Sequence, residues 1–438
     1  MRWMMWIVAA VPLMAQDKPP LPLSLKKAVE IALAPDGNAR VRLAGEAMKQ
    51  AEDRRLQARS TLLPNVDAAV TGTNFTRNLE AFGLRVGPIP GFSIPTFVGP
   101  LYNFDARAML TQSVFDYSAI TRYKAAKEVR EVAKAEHESA QNQVTDQVAR
   151  AYLLALRSDA AVGASKAGVA LAEALLKLAT SQKAAGTGMG IEITRAQVQL
   201  ANEKQRLLVA ENQRYQAHET LLRALNLNLG TKLELTERFT FQPAEPVTLE
   251  QALESARQFR AELKVQEKRE EVSRLSYSSV KYERLPSVGG YADYGAIGLT
   301  IPDSRMTRTF AMTLKVPLWD GGRRDARREE ALSQYRQEKI RTEDLKQQVE
   351  LEIRLALDSL RAAEEQAKVA EEGLKLSESE LAQASRRYEA GVANSLEVTD
   401  AQSRLERARD NRVAALFSHN LAKISVATSM GAIHRIIQ

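Results

Sequence analysis

Two stretches decide the reading of this chain. Ala185 to Leu200 runs Ala-Gly-Thr-Gly-Met-Gly-Ile-Glu-Ile-Thr-Arg-Ala-Gln-Val-Gln-Leu, and Ala390 to Leu405 runs Ala-Gly-Val-Ala-Asn-Ser-Leu-Glu-Val-Thr-Asp-Ala-Gln-Ser-Arg-Leu. An offset of 205 positions pairs Gly186 with Gly391, Glu192 with Glu397, Thr194 with Thr399, Gln197 with Gln402 and Leu200 with Leu405. The chain is an internal repeat, and a repeat of this size governs the whole fold.

The copies extend outward from that segment. Leu110–Asp116 recurs as Leu314–Asp320, Leu63-Pro64 as Leu285-Pro286, and Leu25, Ala28 and Ala32 as Leu249, Ala252 and Ala256. The offset grows toward the N-terminus because the first copy has the longer excursion between Pro64 and Leu110. Within each copy the hydrophobic period changes along the chain. Ser24–Leu33 and Asn38–Ser60 read as helices; Tyr102–Val114 and Thr309–Leu318 then alternate apolar and polar residues, with Val66–Thr76 and Val288–Leu299 as weaker strands. One β-hairpin per copy follows, with strands near the ~9 to 11 residues that cross a bilayer at a tilt.

After each hairpin an Asp, Asp116 or Asp320, stands where a helix N-cap is expected. From there a helical pattern free of Pro runs to the segments 184–190 and 390–395. Some 70 residues of helix would measure about 100 Å. The glycines then turn the chain back into a second helix, so each copy holds a long antiparallel helical hairpin. The expected organisation is a leader at 1–15, helices at 16–63, hairpin strands at 64–115, the first long hairpin at 116–229 and a connector at 230–247. The second copy follows as helices at 248–285, strands at 286–319 and a long hairpin at 320–431, with a tail at 432–438.

Composition agrees with elongation rather than compact cores. Aromatic residues make up 6% of the chain, and two of its three Trp, Trp3 and Trp6, fall in the leader. Met1–Ala15, with Arg2 ahead of an apolar run, has the form of a cleaved secretory signal. There is no Cys, which excludes disulfides and a lipidated cysteine. The net charge of +7 is spread as alternating signs along helical faces, as in Glu128, Arg130, Glu131, Lys134 and Glu136. That pattern describes a solvated surface and argues against nucleic-acid binding.

Four membrane-length strands cannot close a barrel, since bacterial barrels begin at about eight. An open sheet edge in hydrocarbon costs several kcal/mol per unsatisfied group. The barrel must therefore be shared between chains, eight strands from two or twelve from three.

Arg387-Tyr388, Gly391, Ser395-Leu396-Glu397-Val398, Ala401-Gln402 and Leu405 resemble the tip motif of TolC-like outer-membrane efflux proteins, and Pro317-Leu318-Trp319-Asp320-Gly321-Gly322 resembles that family's strand-to-helix junction. The resemblance spans roughly Leu21 to Gly431. It implies a mainly α fold: a homotrimer whose helical hairpins form an α-barrel across the periplasm and whose β-hairpins form a twelve-stranded barrel in the outer membrane. It also implies a passive exit duct in a tripartite efflux or type I secretion system. Its partners would be a periplasmic adaptor, an inner-membrane pump of RND, ABC or MFS type, and outer-membrane lipid.

The family's acidic constriction positions fall here on Glu192, Glu397 and Asp400, and its gating tyrosine on Tyr388. Its gating arginine position holds Ala393. We expect Arg195, the first-copy counterpart of Asp400, to pair with Asp400 or Glu397 of a neighbouring helix; the alternative is an exposed charge pair worth less than ~1 kcal/mol. The turns Ala185-Gly186-Thr187 and Ala390-Gly391-Val392 match the family's adaptor contact, although Gly would be needed for the turn alone. Phe115 and Trp319, at the strand ends, read as membrane-interface aromatics or as core packing.

Arg323, Arg324, Arg327 and Arg328 read as a solvated helix face or as contacts to anionic lipid. Gly83–Pro100 reads as a long extracellular loop. The four His, at 137, 218, 419 and 434, lack metal-site spacing, and no catalytic set or phosphate loop is present. The expectation is a protein without enzyme activity, cofactor or metal. The competing class is a periplasmic coiled-coil scaffold. Drugs, metal ions, lipids and polypeptides are all open as cargo.

Overall fold

The structure is a computed structural model that describes residues 20–83, 96–186 and 188–433. The leader, most of the Pro-rich loop, Thr187 and residues 434–438 lie outside the described residues. In chain order the elements are β1 (Leu21–Leu23), α1 (Leu25–Leu33), α2 (Ala39–Ser60), β2 (Asn65–Asn78), β3 (Phe97–Phe115), α3 (Tyr117–Ala184) and α4 (Gly190–Ala224). The second copy gives β4 (Leu233–Leu235), α5 (Leu249–Phe259), α6 (Ala261–Lys281), β5 (Ser287–Gly298), β6 (Arg305–Lys315), α7 (Arg323–Glu389) and α8 (Ser395–Ser429). The described residues fall into two compact units, and each takes segments from both copies.

The first unit comprises 20–43, 138–261 and 347–433. Its helices pair antiparallel, as the order of the ion pairs shows. Glu173 meets Lys204 at 3.7 Å and Asp159 meets Arg214 at 2.6 Å, so α4 descends α3. Glu380–Arg404 at 2.8 Å and Glu371–Arg412 at 2.5 Å set the same direction for α7 and α8. The main core gathers Leu23, Ala28, Val29 and Ala32 against Val144, Val148 and Tyr152 of α3 and Leu221, Leu222 and Leu225 at the end of α4. Burying each such aliphatic side chain contributes about 1.5–3 kcal/mol. Tyr152 also donates its hydroxyl hydrogen to the Leu23 carbonyl at 3.1 Å.

The repeat is visible in how helices start. Ser24 Oγ accepts from the Lys27 amide at 3.2 Å, and Thr248 Oγ1 accepts from the Gln251 amide at 3.3 Å, a matched pair of N-caps. Gly431 closes the second copy in a left-handed conformation (φ 70°), and a Cβ there would stand 2.7 Å from the Arg260 amide nitrogen.

The second unit comprises 44–83, 96–137 and 262–346. Its centre is a four-stranded antiparallel sheet ordered β2-β3-β5-β6, so the two hairpins join through β3 and β5. The register puts Val66 beside Leu110, Leu110 beside Ala292, and Ala292 beside Phe310. One face is therefore apolar, continued by Val70, Phe104, Met312 and Leu314. The other carries Asp67, Thr71, Asp105, Arg107, Asp293, Thr309 and Thr313. On that polar face Arg107 bridges Asp105 at 2.7 Å and Asp293 at 3.2 Å, crossing the seam between the copies. Gly295 lies opposite Arg107, and a Cβ there would come within 2.4 Å of the Arg107 Cβ.

Several boundaries differ from expectation: β3 starts at Phe97, inside the expected loop, α4 ends at Ala224, and the second strand-to-helix junction is displaced. β6 ends at Lys315, not Leu318, because Pro317 cannot extend the ladder. α7 begins at Arg323 rather than beside Asp320, because Gly321 and Gly322 take left-handed φ of 69° and 86°. Asp320 Oδ2 still accepts from the Arg324 amide at 3.2 Å, while Asp116 caps α3 through the Ala119 amide at 2.9 Å.

Candidate functional site

The hairpin tips lie in the first unit. α3 ends at Ala184 and α7 at Glu389, and in each case the next glycine, Gly186 (φ 80°) or Gly391 (φ 71°), terminates the helix in the left-handed region. The Gly391 amide donates to the Tyr388 carbonyl at 3.1 Å and the Val392 amide to the Arg387 carbonyl at 3.0 Å, a paired C-terminal closure. Ala185, Gly186, Ala390, Gly391 and Val392 are all exposed. With Met189 at 70% and Val392 at 68% exposure, the tips also display apolar surface.

The acidic residues behave differently in the two tips. In the first, Glu192 Oε2 folds back to accept from the Met189 amide at 3.1 Å. In the second, Asn394 takes the capping role by accepting from the Glu397 amide at 3.1 Å. Glu397 then reaches across to Arg387 at 3.0 Å. Asp400 and Arg195 are exposed. Within the described residues of one chain, no ion pair joins Arg195 to Glu397 or Asp400.

Tyr388 does not face solvent. It is 6% exposed and packs with Ala384, Val398 and Ala401, flanked by Leu175, Leu178 and Leu381. Burial first, and the charge of Glu192 second, raise its pKa above the ordinary tyrosine value. Its hydroxyl, the Ser395 hydroxyl and both amide atoms of Gln402 have no hydrogen-bond partner among the described residues. Tyr388, Ser395, Gln402, Glu192 and Arg195 border a cavity of about 30 Å³. That space fits a single water, and the polar lining supplies the bonds a buried water needs. The ion pair of Arg387, the cap bond of Asn394 and the burial of Gln402 were not read from the sequence; the recurrence of Gln402 at Gln197 was the available signal for the last.

In the second unit the sheet has its own unpaired features. β2 and β6 each have one edge with no strand beside it among the described residues. On β6, Phe310, Met312 and Leu314 are 78%, 70% and 65% exposed, and below the strands Leu318 and Trp319 are 91% and 88% exposed. Phe115 is also exposed, so neither interface aromatic packs into a core among the described residues. The arginine cluster after β6 is internally paired: Arg324 with Asp320 at 3.1 Å, Arg327 with Glu283 at 2.8 Å and Arg328 with Glu329 at 2.8 Å. No helix among the described residues is long and apolar enough to cross a membrane, and no group of three His, Asp or Glu side chains there is arranged to hold a metal ion.

The family model for outer membrane efflux proteins matches residues 36–227 and 252–432, the two copies in order. The chain belongs to the outer membrane efflux protein family. Among solved structures, this efflux protein is similar in fold to the outer membrane channel CmeC of Campylobacter jejuni (TM-score 0.80, 16% identity, 93% of this chain and 86% of that one). It is similar also to the open-state outer membrane channel MtrE of Neisseria gonorrhoeae (TM-score 0.78, 16% identity, 93% and 89%) and to a membrane protein of Pseudomonas aeruginosa (TM-score 0.79, 18% identity, 93% of each). No curated protein matches the efflux chain in sequence. Membership places it in the outer membrane with a helical part in the periplasm.

Proposed function

We propose that this efflux protein is the passive exit duct of a tripartite efflux or type I secretion system, and that three copies close it. The observation that carries the reading is the sheet: two open edges, one apolar face and one polar face. Backbone groups on β2 and β6 have to find partners before the sheet enters hydrocarbon, and joining β6 of one copy to β2 of the next satisfies both edges. The apolar face with Phe310 and Met312 then meets lipid, Phe115 and Trp319 lie at its periplasmic border, and the polar face with Asp105, Arg107 and Asp293 lines the lumen. A periplasmic scaffold would leave that apolar face in water.

At the hairpin tips, Glu192, Glu397 and Asp400 would form the acidic mouth once three copies surround an axis. Tyr388 acts there by packing rather than by lining the mouth, and Arg195 is free to meet an acidic group of an adjacent copy. The exposed turns at Gly186 and Gly391 are the adaptor contact, and the adaptor joins the duct to an inner-membrane pump. Fractionation and planar-bilayer recording test the reading. The expected result is a heat-modifiable trimer in the outer membrane that conducts ions, with cation preference reduced by Glu397→Ala and Asp400→Ala together. A protein that salt extracts from membranes as a monomer would contradict it.

A further inference from the structure

Farther along the hairpins, α4 and α8 meet at two carboxylates that the duct reading does not use. Glu203 is 2% exposed and Glu406 9% exposed. Gln199 Nε2 donates to Glu203 Oε1 at 3.1 Å and lies 3.5 Å from Glu406 Oε1, while Arg206 Nη1 donates to Glu406 Oε2 at 2.8 Å and stands 3.7 Å from Glu203. On α3, Gly168 makes the room: a Cβ there would sit 2.7 Å from Glu203 Oε2. The two positions are not repeats of each other, since the offset of 205 matches Glu203 with Ala408 and Glu406 with Ala201.

The surrounding charges are few. From α8, Asp410 adds negative charge, and Arg407 and Arg409 border the same groove. On α4, Lys204 points instead to Glu173 at 3.7 Å. The part of α3 that lines the groove presents Ala161, Ala164 and Ser165, all uncharged. Two buried carboxylates against one guanidinium in contact leave an uncompensated negative charge, which burial disfavours. One proton removes it and supplies the donor that a carboxylate pair lacks.

We propose that Glu203 and Glu406 share one proton and form a pH-sensitive latch between α4 and α8. With the proton, the pair is a hydrogen bond across the two helices. Without it, like charges push them apart. The groove of about 750 Å³ beside the pair connects it to bulk water, which takes or returns the proton.

Burial first, and then the charge of Glu406, push the Glu203 carboxyl up to about 7; Asp410 adds to the rise and Arg206 opposes it. An unfolded glutamate titrates near 4.5, so the folded state holds the proton more tightly. The stabilisation is complete below about 4.5 and is lost as pH rises through about 7. The hairpins are therefore tied most firmly in acid. The consequence for a duct, a tighter packing above its tips at low pH, rests on the proposed function. The proton-sharing pair does not.

Two readouts on the full-length protein in detergent test the latch, and neither needs a conducting channel. Infrared difference spectra of the wild type should lose a protonated-carboxyl band with a midpoint near pH 7, a midpoint that Asp410→Asn lowers. Glu203→Gln and Glu406→Gln should each abolish that transition. A wild type whose carboxylates all titrate below about pH 5, where ordinary ones do, or a transition that survives both substitutions, overturns the shared proton. For the helix contact, Ser403→Cys provides the sole thiol, on α8 in the same groove. Its labelling rate, divided by that in the added Glu203→Gln background at the same pH, should rise across pH 7. A constant ratio overturns the latch. A protein that passes both tests yet never conducts would contradict the duct reading alone.

Discussion

The two hairpin tips are the same motif at a distance of 205 residues, and they use the same glutamate for different work. In the first tip the residue before α4 is Met189, which has no good capping acceptor, and Glu192 turns inward to hold the Met189 amide. In the second tip Asn394 does the capping, and Glu397 is released to reach Arg387. Two matched positions differ with that change of role, the N-cap (Met189 against Asn394) and the residue available on the preceding helix (Gln182 against Arg387). The neighbouring pair diverges as well. Tyr388 of the second tip is buried in the hairpin core, while its first-tip counterpart, Lys183, is exposed.

Substitutions at matched positions break or sharpen this comparison. The largest contrast is expected between Tyr388→Ala and Lys183→Ala. Emptying a buried aromatic site costs about 3–5 kcal/mol, whereas an exposed substitution stays within about 0.5 kcal/mol. Denaturant unfolding of the full chain reads the difference, and equal costs would show that Tyr388 is not part of the core. Tyr388→Phe separates packing from hydrogen bonding: the ring is kept, so stability should change by less than about 1 kcal/mol unless the hydroxyl holds a buried water.

Next in size, Gly186→Ala and Gly391→Ala should each cost roughly 1–2 kcal/mol, because both glycines occupy left-handed backbone that a Cβ disfavours. Here the tips should agree. A large difference between them would mean that the turns are held by something other than their backbone. Asn394→Ala should cost ~1 kcal/mol by loss of the cap, seen as faster amide exchange in the first turn of α8. Met189→Asn should stabilise the first tip by a few tenths of a kcal/mol and release Glu192.

The smallest effect on stability belongs to Arg387→Gln, which gives the second tip the first tip's residue, Gln182. An exposed ion pair is worth about 0–1 kcal/mol. Its electrostatic effect should be clearer: Glu397 loses its partner, and reversal potentials in bilayers should move toward greater cation preference. Unchanged selectivity would remove Glu397 from the conducting path.

Much of this was legible in the sequence because it depends on short-range pattern. The period-two runs located the four strands, the glycines located both tips, and the repeat paired Leu25, Ala28 and Ala32 with Leu249, Ala252 and Ala256. The end of β6 at Lys315 and the start of α7 at Arg323 were displaced by Pro317 and by the two left-handed glycines, whose φ no hydrophobic pattern reveals. The burial of Tyr388 and the meeting of Glu203 with Glu406 depend on which helix faces turn toward each other. The 68-residue α3 has no single apolar stripe that keeps one direction along its whole length, from which to read that. Four helices must pack before those partners exist.

The most direct test of the account is to join the open sheet edges. Thr71→Cys on β2 and Thr309→Cys on β6 would be made in separate chains, co-expressed, and treated in outer membranes with a flexible bis-thiol cross-linker; the absence of native cysteine makes any product unambiguous. The account predicts cross-linking between the two kinds of chain, and, when both cysteines are placed in one chain, covalent species that stop at three. Monomer alone, or a ladder that continues past three, would contradict it.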